Sequence, residues 1–285
     1  MQNLRALRQR IKSVQNTQKI TKAMQMVAGA KLRRSLEELV AFRPYAERLS
    51  MIAQRFSAAY PSFDHPLMKD GRADAPAGLV LITSDTGLCG TYNERILAAA
   101  NVFLKEFPSG RVVTIGRKGA RSMTRRAGTV FLKETVSWGG KYDPAEVLPF
   151  VGWMEQLFLS GEISSWYVAH TRFISALQWK PVVARLFPLE RPASDTGFTE
   201  KLIVEPSPVA VADRLLRQFV RAQFARMLLE AFTAEHSARM VAMKNATENA
   251  DGMIKNLTLI RNKARQASIT KELIEVVSGA QAALQ

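Results

Sequence analysis

The chain has a single cysteine, Cys89, in 285 residues. A lone thiol forms no internal disulfide, so the fold must rest on a core, and a reducing compartment fits. Histidine is almost as scarce, and His65, His170 and His236 lie too far apart in sequence to suggest a metal cluster with that cysteine. No window approaches the roughly 18 to 20 unbroken apolar residues of a bilayer span. The opening MQNLRALRQRIKSVQ has no apolar h-region and no small-residue cleavage site, which argues against a secretory signal. Its helical pattern runs past the length at which a transit peptide would be cut. Acidic residues are missing altogether from the first 36 positions, which hold nine Lys or Arg.

Apolar residues make up 47% of the chain, ample for a core. Forty Lys and Arg against 25 Asp and Glu give a formal charge of +15. Such an excess favours an anionic partner: nucleic acid, an acidic lipid surface or an acidic protein face.

Three segments follow from composition: 1–60, 61–206 and 207–285. In the first, Leu4, Leu7, Ile11 and Val14 recur at spacings of three and four, which predicts a long helix with a narrow apolar seam. The seam turns polar at Asn16, Thr17 and Gln18, and AMQMVAGAK then offers small residues and methionines. Proline, glycine and aspartate cluster near residue 60 as linker residues do. Beyond them, GLVLITSD, GRVVTIG, SSWYVAHTRF and KPVVARLFPL read as strands, alternating with helices near 92–107, 117–126 and 144–160. That alternation predicts an α/β sheet domain of Rossmann-like type. In the third segment Ser207 is a fitting N-cap and Pro208 a tolerated first residue of a second long helix.

At 1.5 Å per residue the two long helices would reach about 80 Å and about 115 Å. Flanking one compact domain, they are expected to pack as an antiparallel coiled coil. The longer helix would then overhang by roughly 35 Å. Its last turns, LIEVVSGAQAALQ, are apolar and imply a covering partner surface.

ITSDTGLCGTYN, residues 82–93, has the position of a strand-to-helix loop that can bind phosphate. It matches neither G-x-x-x-x-G-K-[ST] nor G-x-G-x-x-G, so nucleotide binding is not expected. Cys89 as a nucleophile would need a base nearby, with His170 as a candidate; a small buried hydrophobe is the reading preferred here. Glu272 and Glu275 lack the pocket that acid–base chemistry needs, and read as contact points along with Arg239, Gln266 and Thr270. The basic first helix leaves nucleic-acid binding as the alternative function, though no recognised motif supports it.

LRQRIKSVQNTQKITKAMQMVAGAKLRRS, SDTGLCGTYN and ITKELIEVVSGAQA (269–282) together resemble the gamma subunit of the F-type proton-translocating ATP synthase across the whole chain. The resemblance implies a central-stalk rotor. Its terminal helices form a coiled coil inside a ring of alpha and beta subunits, and its α/β domain forms a foot on the membrane ring of c subunits. Epsilon binds the same foot. Proton-driven rotation cycles the beta sites through ATP synthesis, so the chain itself carries no catalytic residue, cofactor or metal. The expected localisation is peripheral, at the cytoplasmic face of a bacterial inner membrane in preference to a mitochondrial matrix face. By the same resemblance Met24, Arg239, Gln266, Thr270 and Glu272 match contacts with the alpha/beta ring, Met24 lying across the coiled coil from Arg239. Glu205 matches a contact with the c ring. Thr86 stands where the family usually has arginine, and Thr91 replaces a smaller residue. The cysteine-bearing insert of redox-regulated chloroplast relatives is missing.

Overall fold

The structure is a computed structural model that describes residues 4–126, 128, 130–132, 137–190 and 203–283. The elements run α1 (Leu4–Ala59), a 3₁₀ turn (Pro66–Met68), β1 (Ala77–Ile82), α2 (Tyr92–Glu106), β2 (Arg111–Ile115) and α3 (Arg117–Thr124). They continue with β3 (Val130–Phe131), α4 (Pro144–Leu159), β4 (Ser165–Ser175), β5 (Gln178–Phe187) and α5 (Pro208–Ala283). The chain packs as two units, residues 1–28 with 240–285 and residues 29–239.

The first unit pairs the start of α1 with the far part of α5. Leu7 and Ile11 bury against Leu257, with Val14 and Ala264 beside them. Where the seam turns polar, Gln18 Nε2 donates to Asp251 Oδ1 at 3.4 Å and Thr247 Oγ1 to Thr21 Oγ1 at 2.8 Å. Partner numbers rise on one helix as they fall on the other, so the pairing is antiparallel. That register sets Leu4 about level with Ala264. Beyond it α5 runs on for about 28 Å at 1.5 Å per residue, somewhat less than the 35 Å expected. This stretch is apolar and open to solvent: Ile269 is 49% exposed, Leu273 and Ile274 60%, and Val276 69%.

The second unit is built on a five-stranded sheet of order β3-β2-β1-β4-β5. The pairs β1 with β2, β1 with β4 and β2 with β3 are parallel, while β5 joins the edge antiparallel to β4. All six residues of β1 are buried, as a central parallel strand covered on both faces requires. Alternate residues serve the two faces. Val80, Ile82, Val113, Ile115, Trp166 and Val168 pack with α4 and the first half of α5. On the other face Leu79, Leu81, Val112 and Ala169 pack with Ile96, Ala100 and Phe103 of α2 and Met123 of α3. Gly78 leaves room for the Trp166 ring, which a Cβ would approach to 2.4 Å. The later part of α1 meets the same helix α5 through Ala53 and Phe56 against Ala212 and Leu215, and through Ser35 Oγ, 3.1 Å from Thr233 Oγ1. Ser207 caps α5 as anticipated, its Oγ accepting from the Ala210 amide at 3.3 Å.

Candidate functional site

In an open α/β sheet, ligands bind beyond the carboxyl ends of the strands where the strand order reverses, here between β1 and β4. The loop at 83–91 leaves β1 at that point. Its shape comes from residues with special backbone or side-chain demands. Leu88 adopts φ 62 and Gly90 φ 58. Gly116, at φ +100, lies so close to the loop that a Cβ would stand 2.1 Å from the Thr83 carbonyl oxygen. Ser84 N–H donates to Asn93 Oδ1 at 3.1 Å, and Asn93 Nδ2 donates to Ser84 Oγ at 2.7 Å. Asp85 ties three segments together, Oδ1 accepting from the Arg117 amide and Oδ2 from the Gly139 amide, each at 3.1 Å. The Ser84, Arg117 and Gly139 amides, which a phosphate at this point could draw on, are thus engaged with the protein's own amide and carboxylate oxygens.

Cys89 is 2% exposed and packs with Tyr92, Ala234 and Ala238. Its sulfur meets Asn93 Nδ2 at 3.2 Å and Ser84 Oγ at 3.7 Å. Neither is a base that would generate a thiolate. His170 instead sits 4.0 Å from Glu230, and burial lowers its pKa to about 4. Among the described residues no group of three or more His, Cys, Asp or Glu could hold a metal ion.

One turn of α5 closes over this loop. Arg239 Nη2 donates to the Thr86 carbonyl and to Thr86 Oγ1, both at 3.1 Å, and Nε donates to the Gly87 carbonyl at 3.3 Å. Nη1 pairs with Glu235 at 2.8 Å, both side chains nearly buried. Desolvation raises the Glu235 pKa against the pull of Arg239. Between them, His236 Nε2 lies 3.3 Å from the Gly140 carbonyl, and burial lowers its pKa to about 4. Tyr92 OH donates to the Ala231 carbonyl at 3.1 Å. Arg239, paired with Glu235, thus fastens α5 to the loop, while Ala231 and His236 hold the helix to Tyr92 and Gly140 beside it.

The residues expected to touch partners divide between the two units. Met24 is half-buried on α1 of the first unit. Gln266, Thr270 and Glu272 are exposed on the uncovered stretch of α5. Thr270 Oγ1 donates to the Gln266 carbonyl at 3.0 Å, and Ser268 Oγ donates to Glu272 Oε1 at 3.1 Å. Gln266 and Thr270, four apart, share a face; Glu272 is turned from Thr270 by about 200° at 3.6 residues per turn. Arg239 belongs to the second unit and spends its guanidinium on Thr86, Gly87 and Glu235. Glu205 is exposed just ahead of α5. Sequence reasoning did not find Glu235 as the partner of Arg239, although a Glu–Arg pair four apart in an apolar run was the available signal. It also missed the acceptor role of Thr86, which no local pattern marks.

No helix among the described residues is long and apolar enough to cross a membrane. A family model described as ATP synthase matches residues 3–283. The ATP synthase gamma chain of Dechloromonas aromatica strain RCB is 40% identical over 281 residues, covering 97% of this chain and 98% of that one. The gamma chain of Paraburkholderia phytofirmans is 40% identical over 294 residues, covering 99% and 100%. Among solved structures, the rotor of the Euglena gracilis mitochondrial ATP synthase superposes with a TM-score of 0.65 at 19% identity, covering 93% of this chain and 98% of that chain. At that identity the superposition speaks for the fold. With near-complete coverage by relatives at twice that identity, the chain belongs to the family of ATP synthase gamma chains.

Proposed function

We propose that this protein is the central-stalk rotor of an F-type ATP synthase, coupling rotation of a c ring to conformational cycling of beta catalytic sites. Alpha, beta and epsilon subunits and the c ring are its proposed partners, with one copy per complex. The chain is proposed to be non-catalytic, and peripheral at the cytoplasmic face of a bacterial inner membrane. The observation that carries this reading is the far part of α5, where Ile269, Leu273, Ile274, Val276 and Val277 stand exposed beyond the end of α1. A helix in free solvent does not retain such a face without a partner to cover it. Gln266, Thr270 and Glu272 lie on the same stretch and are proposed to meet the alpha/beta ring on different sides of the helix, with Met24 and Arg239 on the same ring's path. Glu205, exposed ahead of α5, is proposed to face the c ring. Nucleic-acid binding, the alternative, has only net charge in its favour.

Deleting residues 276–285 tests the reading in the reconstituted complex. Assembly or proton-coupled synthesis should weaken while the second unit keeps its native tryptophan fluorescence, since all four tryptophans lie between residues 138 and 179. A truncated chain that assembled and coupled like the full one would refute it.

A further inference from the structure

A cleft of about 550 Å³ opens in the second unit between α1, the end of β4 and α5. Arg43, Arg172 and Arg226 line it, together with Gln54, Gln223 and the carboxylate Glu230. Charged groups brought this close normally satisfy one another, but here they do not. The shortest contacts of Glu230 are 4.0 Å to Arg226 Nε and 4.0 Å to His170 Nδ1. His170 Nδ1 is buried without a hydrogen-bond partner, and Arg43 and Arg172 are exposed at the cleft, which a second carboxylate, Glu47, also lines. Three guanidinium groups, each a planar fork of donors, thus converge on a space that holds no acceptor at bonding distance. Leu39, Phe42 and Phe173 supply apolar lining beside them, and the cleft is open to solvent at Arg43 and Arg172, which are exposed.

From this geometry we propose that the cleft is a binding site for a phosphate-type oxyanion, held by Arg43, Arg172 and Arg226. Guanidinium forks match phosphate oxygens two at a time, which favours this chemistry over a single carboxylate. Glu230 is the group that regulates the site. It is faced by Arg226 on its own helix, by Arg172 and His170 from β4, and by Arg43 and Glu47 from α1. Burial raises its pKa against the three arginines, so it takes up a proton more readily than an exposed glutamate. Protonated, it ceases to repel an oxyanion and can donate to one.

The test is calorimetric titration of the full chain with pyrophosphate at low salt, with a second arm in which phosphatidylcholine vesicles doped with phosphatidylglycerol replace the free anion. Saturable binding of pyrophosphate, or retention on the doped vesicles alone, is expected, the two results assigning the phosphate to a free anion or to a lipid headgroup. Arg172→Gln combined with Arg226→Gln should weaken whichever is seen by roughly tenfold or more, the loss of charge-assisted hydrogen bonds. Glu230→Gln should tighten it by roughly threefold, because a like charge is removed. Arg172→Lys keeps the charge but not the fork and should fall between. Absence of binding in both arms, affinity unchanged in the double variant, or binding of a glutamate-rich peptide where both phosphates fail would each overturn the proposal.

Discussion

Arg239→Ala probes the clasp between α5 and the loop after β1. The wild-type side chain pairs with Glu235 at 2.8 Å and donates three hydrogen bonds to Thr86 and Gly87 at 3.1 to 3.3 Å. Both charged side chains are nearly buried, so removal of one strands the other. Breaking a buried pair in this way costs about 3 to 5 kcal/mol. The lower end applies, because Glu235 can escape by protonation: desolvation already raises its pKa, and loss of Arg239 removes the largest opposing pull. The direction fixes a pH dependence. A carboxyl whose folded pKa lies above its unfolded value contributes its full stability below the unfolded value and loses it as pH rises through the folded one. The variant should therefore lose about 3 kcal/mol at pH 7 and visibly less near pH 4.5. Glu235→Gln, which keeps an acceptor for Arg239, should cost only about 1 to 2 kcal/mol. Urea unfolding followed by tryptophan fluorescence reads the second unit alone. A loss below about 1 kcal/mol at pH 7, or a loss that grew on acidification, would show that the pair is not the fastening described here.

Other substitutions separate packing from chemistry. Cys89→Ala should cost about 1 kcal/mol, the loss of a small buried group, and leave ATP synthesis by the reconstituted complex unchanged; abolished turnover would revive a nucleophilic role. Gly116→Ala should destabilise by about 2 kcal/mol or more, since the new methyl meets the Thr83 carbonyl at 2.1 Å in a left-handed backbone region; a neutral result in urea unfolding would count against the loop geometry. Burial holds His170 to a pKa of about 4, so the unfolded chain binds more protons between about pH 6.5 and 4 and stability falls as pH drops through that window. His170→Asn should flatten that fall in a pH series of urea midpoints, and an unchanged slope would exclude the residue as its source.

Much of the fold was legible because its signals are long or repeated. The three- and four-residue spacing from Leu4 to Val14 needs no tertiary information to specify a helix, and the runs GLVLITSD, GRVVTIG, SSWYVAHTRF and KPVVARLFPL contain most of strands β1, β2, β4 and β5. The helices expected near 92–107, 117–126 and 144–160 are α2, α3 and α4. What escaped is short or depends on distant partners. β3 is a two-residue edge paired with Arg111 and Val112, and the 3₁₀ turn at Pro66–Met68 lay within a stretch read as linker. The stretch ERPASDTGF, residues 190–198, reads as a loop from its proline, aspartate and glycine, and most of it lies outside the described residues. At the site, the identities of Arg239 and Cys89 drew notice. Their partners did not, because Thr86 and Arg239 stand 153 residues apart and only the folded chain brings them together.

The strand-to-helix loop at 83–91 resembles a nucleotide site for a reason that the structure makes physical. Strand order reverses between β1 and β4, and in a doubly wound sheet that crevice is where cofactors enter. Here α5 occupies the approach. Tyr92 reaches back to the Ala231 carbonyl, Ala234 and Ala238 lie on Cys89, and Arg239 caps the loop carbonyls that would otherwise face solvent. A nucleotide would have to displace a buried ion pair and at least four hydrogen bonds, and would find the Arg117 and Gly139 amides already given to Asp85. The same contacts suit a rotor. Filling the crevice with residues 231–239 of α5 fastens that part of the helix to the sheet and to the loop after β1 within the second unit.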